Sequence, residues 1–78
     1  MNNFLTPADI AKDLGTNKNY VYDLIVVGFI NSSKIGRRYI IPIDNYLAFL
    51  EWTKTHNLPS HSDLEAMAYL KRRELKNE

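Results

Sequence analysis

The apolar positions of this chain change period as the sequence proceeds, and each change marks an element. Ile10, Ala11 and Leu14 recur at helical spacing. Before them, Thr6 suits an N-cap, Pro7 the first helical position and Asp9 the third place of a capping-box-like start. Gly15 supplies a left-handed stop, so a short helix is predicted over about Pro7 to Leu14. Asn17 is the next natural N-cap. Val21, Leu24 and Ile25 form the apolar stripe of a second helix, which Gly28 ends.

Beyond Gly28 the pattern shortens. "FINSSKI" mixes apolar and small polar residues, "GRR" reads as a turn, and "YIIPI" is β-branched and aromatic, so two short strands joined through Gly36 form a predicted hairpin. Pro42 cannot donate to a ladder and therefore ends the second strand or lies on its edge. Asp44 then reads as the cap of a third helix, roughly Asn45 to Thr55, with Ile43 as a staple on Leu47 or Ala48. Its apolar residues, Tyr46, Leu47, Phe49, Leu50 and Trp52, sweep more than half the circumference, so a second element is expected to cover the Phe49–Trp52 side. "NLPSHSD" breaks the chain, and Ser62 with Glu65 forms a capping box for a fourth helix of about Asp63 to Lys76. That helix is the expected cover, with Trp52, Phe49, Met67 and Leu70 sealing each other within one monomer or between monomers.

The predicted fold is mainly α with a small β-hairpin, in the order α-α-β-β-α plus a C-terminal helix. Seventy-eight residues make one small core with little room for a deep active-site cavity. The absence of cysteine excludes a disulfide framework and a thiolate metal site. "MNNFLTPADI" lacks the cationic start and long apolar run of a signal peptide, and "LIVV" and "YIIPI" are too short to cross a bilayer, so a cytoplasmic protein without a membrane partner is expected. Net charge is only +1, yet Lys34, Arg37 and Arg38 fall within five positions and no acid lies between Asp23 and Asp44. The middle of the chain is locally cationic.

A helix-turn-helix corner needs a small residue where its helices press together, a turn residue that accepts positive φ, and buried aliphatic residues on the second helix. Ala11, Gly15, Val21 and Leu24 meet those demands. Such a helix turns Lys18, Asn19, Tyr22 and Asp23 outward and places Asn17 and Lys18 at its N-terminal tip, where a major-groove helix meets DNA. Asn pairs with adenine, Lys with guanine acceptors or phosphate, and Tyr with phosphate. Arg37 and Arg38 on a protruding hairpin suit a narrow minor groove or a phosphate. Solvated charges on an unremarkable helical corner are the simpler reading of the same residues. Tyr39 is expected to pack against the third helix, and Lys71 to Arg73 to complement the dipole of the fourth and face solvent, with a further phosphate contact or a docking surface for an integrase or sister protomer as the functional alternative.

The order "LTPADIAKDLGTNKNYVYDLI", "GFI", "KIGRRYIIPIDNYLAFLE" resembles the small winged helix-turn-helix domain of phage and transposon excisionases, which also occurs in MerR-type regulators. The resemblance covers about Phe4 to Trp52. It implies a DNA-binding domain over residues 1–56, followed by a linker and C-terminal helix over 57–78 for packing, oligomerisation or partner docking. It also implies that Asn17, Lys18, Asn19, Tyr20, Tyr22 and Asp23 on the helix meet double-stranded DNA, together with Lys34, Arg37 and Arg38 on the wing. Two positions depart from the family pattern. Asp23 stands where many relatives are basic, so it should accept from a cytosine amine or pair with a nearby cation; Thr16 replaces an aliphatic residue under the turn.

Excisionase-like behaviour implies a recombination directionality factor that binds and bends DNA cooperatively as a homo-oligomer, beside an integrase. The alternatives are a small phage or plasmid transcriptional regulator of MerR-like type, working with RNA polymerase, and a protein-interaction adaptor using the same fold. Catalysis is not expected. His56 and His61 with Asp63 make a poor metal site, Asp9 and Asp13 lie on a polar face, and neither a Gly-rich phosphate loop nor a Ser/His/Asp grouping occurs. No cofactor is expected.

Overall fold

A computed structural model describes residues 3–76. Seven elements follow in order: β1 (Phe4–Leu5), α1 (Pro7–Leu14), α2 (Lys18–Val27), β2 (Ser33–Ile35), β3 (Arg38–Pro42), α3 (Ile43–Thr53) and α4 (His61–Lys76). Over the described residues the fold is thus mainly helical, with four helices and a three-stranded antiparallel sheet in the order β1-β3-β2.

The first corner forms as its caps dictate. Thr6 N–H donates to Asp9 Oδ2 at 2.9 Å, and Asp9 N–H donates to Thr6 Oγ1 at 3.2 Å, closing the capping box. The bonds from Thr6, from its backbone first, hold the Asp9 carboxyl below its usual range. Gly15 ends α1 at φ +69°, and Asn17 Oδ1 accepts from Tyr20 N–H at 2.9 Å to start α2. Gly28, at φ +105°, ends α2 as expected.

The second strand of the hairpin ends at Pro42 as expected, but the starts of the two helices that follow differ from expectation. β3 runs to Pro42, which pairs with Phe4, and Ile43 N–H donates to the Asn3 carbonyl at 3.0 Å. With that amide satisfied, α3 starts at Ile43 behind Pro42, so Asp44 lies in the first turn and is not the cap. At the fourth helix Ser60 takes the capping role: its Oγ accepts from Asp63 N–H at 3.2 Å and its carbonyl from Leu64 N–H at 2.9 Å. α4 therefore begins at His61, two residues before the predicted start.

The core collects Ile10 and Ala11 from α1, Val21 and Leu24 from α2, then Ile30, Ile41, Tyr46, Phe49 and Leu64. No polar or charged residue is buried among the described residues. Tyr46 keeps its ring inside and donates its hydroxyl to Asp13 Oδ2 at 2.5 Å, tying α3 to α1. Burial first, and the carboxylate beside it second, push that phenol well above its ordinary ionisation range.

α4 does not cover the Phe49–Trp52 side of α3. It lies along α2, burying Leu64 and Ala68, while Met67 and Leu70 stay exposed. Trp52 is instead flanked by Phe29, with ring centroids 5.3 Å apart, and by a stacked His56 at 4.5 Å.

Two residues of the corner yield opposite expectations. A Cβ on Gly15 would meet no atom within 4 Å, so the demand there is conformational: an L residue at φ +69° costs about 1–2 kcal/mol, and a β-branched one more. Gly15→Val should lower the thermal midpoint by at least about 5 °C. Thr16 Oγ1 is buried without a hydrogen-bond partner, so the isosteric Thr16→Val should raise stability by about 1 kcal/mol in the same thermal melts.

Candidate nucleic-acid interface

α2 turns Val21 and Leu24 inward, which leaves Lys18, Asn19, Tyr22, Asp23 and Val26 along its outer side. The hairpin stands on one flank of that side. Its two-residue turn, Gly36–Arg37, closes the Ile35–Arg38 pair, with Gly36 first at φ +61°, as a tight hairpin requires. Beyond the turn Tyr39 comes back against α2. Its ring lies 5.7 Å from that of Tyr22, and Lys34 Nζ sits 5.3 Å from its centroid. Tyr39 thus meets α2 rather than the expected third helix, because the strand register puts it, with Ile41, on the inward face of β3.

This packing creates a first concavity of about 260 Å³, where α1, α2 and the hairpin converge. Lys18, Tyr22, Arg37 and Arg38 line it, with Tyr39 and the Thr6–Ala8 start of α1. All three cations are exposed, and among the described residues no carboxylate lines the space. Residues separated by up to 20 positions thereby present one cationic surface.

A second cleft, about 470 Å³, runs along α2 between Tyr39 and α4. Asn19, Tyr22, Asp23 and Val26 make its floor, Glu65 and Arg72 its far wall. Tyr22 and Tyr39 belong to both spaces, so the two form one continuous face. Asp23 pairs with a cation, one of the two roles open to it: Arg72 Nη2 donates to Asp23 Oδ1 at 3.0 Å. The Asp23 side chain is 14% exposed and the Arg72 side chain 47%.

Among the residues expected to meet DNA, Lys18, Asn19, Tyr22, Asp23, Arg37 and Arg38 line this face, and Lys34 lies over the ring of Tyr39. Asn17 sits at the tip of α2 with its carbonyl oxygen committed to the cap. Tyr20 leaves the set. One turn from Leu24, it lies on the flank that α4 occupies; its ring stacks on His61 at 4.2 Å and its hydroxyl donates to the Pro59 carbonyl at 3.1 Å. Burial there pushes its phenol above the ordinary range. His61 is thereby taken up by Tyr20 and His56 by Trp52, at separate places on the molecule.

Besides Tyr39 and Val26, Arg72 and Glu65 line the face without having been counted among the residues expected to meet DNA. Arg72 was legible in principle, since Leu64, Ala68 and Arg72 follow at steps of four on one stripe of α4. Asp23, mostly covered on α2, is the charge that needs a partner, and Arg72 at the exposed end of that stripe supplies it.

Compared with protein-family models, curated proteins and solved structures, the chain matches none.

Because Leu64 is fully buried in the same core as Val21 and Leu24, α4 contributes to the stability of the corner itself. Leu64→Ala should cost about 2–5 kcal/mol, and chemical denaturation should show a single transition moved to lower denaturant.

Proposed function

We propose that the protein binds double-stranded DNA sequence-specifically through a winged helix-turn-helix arrangement, with α2 in the major groove and the β2–β3 hairpin as the wing. The observation that carries this reading is the first concavity: Lys18 at the start of α2 and Arg37 and Arg38 at the hairpin tip share one exposed surface with Tyr22. A single duplex can meet all of them together. Phosphate contacts from these cations fix register, and the side chains of α2 reach base edges from there.

Solubilising charges have no reason to gather. Packing of the hairpin requires Tyr39 and Ile41, and the turn requires Gly36, while neither needs Arg37 or Arg38. The role we favour is excisionase-like: cooperative binding and bending of DNA by several copies, without catalysis or cofactor, to direct a recombinase. Footprinting the DNA that flanks the gene separates this from transcriptional control. Repeated sites beside a recombination site support it, and a single promoter operator assigns the protein to MerR-like regulation.

Lys18, Lys34, Arg37 and Arg38 neutralising four phosphates give a log–log salt dependence of about −4 in anisotropy titrations of duplex DNA. Replacing both Arg37 and Arg38 by Ala should weaken binding roughly tenfold or more and reduce the slope by about 2, with the thermal midpoint almost unchanged. A wild-type slope near zero would remove the proposal, and unfolding of the double variant would make the arginines structural.

A further inference from the structure

We propose that Arg72, on a helix outside the corner, reads a guanine in the bound duplex, and that Asp23 is its positioning residue. The inference rests on the DNA-binding reading above and extends it to a base-specific contact. Asp23 stands on the floor of the second cleft, paired and mostly covered, and is poorly placed to meet DNA itself. Its partner is placed well. Arg72 makes one hydrogen bond to Asp23, through Nη2, and lines the cleft with nearly half of its side chain exposed.

A guanidinium carries five N–H donors in a planar fork, so a single bond to Oδ1 leaves an edge for two parallel bonds to one partner. In the major groove the matching partner is guanine, whose O6 and N7 present two adjacent acceptors. A carboxylate behind the guanidinium fixes its plane and cancels the attraction that would otherwise draw it to whichever phosphate came nearest. That is the difference between a specificity contact and a non-specific one. The walls of the cleft add direction. Glu65 lies two turns earlier on the same helix, about 10 Å away along its axis, and disfavours a phosphate at that end. The strand backbone is therefore held toward the hairpin, and base edges face Arg72.

The test selects preferred sites for the whole chain from random duplex DNA, then repeats the selection with Arg72→Lys and Asp23→Asn. Wild type should choose a motif with one guanine whose replacement weakens binding about five- to 150-fold. Arg72→Lys keeps the charge and loses the fork, so that position alone should lose its preference while the salt slope stays the same. Asp23→Asn should bind more tightly overall and discriminate less at the same position, a pattern that loss of packing cannot produce. Should either variant fold poorly, 7-deazaguanine placed there in the DNA tests the contact with wild-type protein, and the affinity should fall.

If Arg72→Lys selects the wild-type motif unchanged, or if 7-deazaguanine has no effect at any selected guanine, the inference is overturned while the DNA-binding reading stands. Failure of the wild-type chain to bind duplex DNA overturns both.

Discussion

Everything in this molecule depends on how α2 is packed. A chain of this length has one small core, and α2 gives it Val21 and Leu24 from one face while taking α1 on one flank and α4 on the other. Ala11 and the left-handed Gly15 set the angle on the first flank; Leu64 and Ala68 close the second. What remains is the outer side of α2, carrying Lys18, Asn19, Tyr22, Asp23 and Val26. That side is left over by the packing, which also fixes its position relative to the hairpin.

Local rules carried the first half of the chain. Thr6–Pro7–Asp9, Gly15, Asn17 and Gly28 are caps whose hydrogen-bonding demands are met within a few residues, so the bounds of α1 and the start and stop of α2 could be read from the sequence. Gly36 gave the hairpin for the same reason. Where a long-range partner intervened, local reasoning failed. β1 is two residues long and exists because Pro42 and Ile41 pair with it, and no period can be read from two residues. Its neighbour Asn3 then satisfies Ile43 N–H, which moves the start of α3 ahead of Asp44.

The site was legible to the same degree. The cations of the hairpin tip and the outer side chains of α2 follow from turn chemistry and helical period, and the structure brings them to one surface. The place of α4 did not follow. An apolar sweep over more than half of α3 suggested a cover there, but a tilted Phe29 and a stacked His56 do that work locally at Trp52. The helix expected over Trp52 goes to α2, and with it Tyr20 changes from a side chain offered to DNA into one that holds the linker at Pro59 and His61. Two helices of mixed hydrophobicity give a single sequence no means of choosing between these partners.

A net charge of +1 bears on function in a way that composition alone hides. Long-range attraction to a polyanion is weak for such a chain, and attraction is what concentrates non-specific binders on DNA. A nearly neutral protein that binds duplex DNA must therefore draw its affinity from a few cations held in fixed positions. On the DNA-binding reading proposed above, the tight turn at Gly36, the Tyr22–Tyr39 contact and the carboxylate behind Arg72 serve as devices of that kind. Each limits where a cation can go before any ligand arrives, so less conformational freedom is lost on binding. The acids along α2 and α4 act in the same direction: Asp23 and Glu65 leave the cleft without excess positive charge, so a phosphate backbone gains nothing by entering it. On the DNA-binding reading proposed above, the cationic first concavity takes the backbone, and the cleft beside it, whose two acids outnumber its one cation, is left for groups recognised by shape and hydrogen bonding.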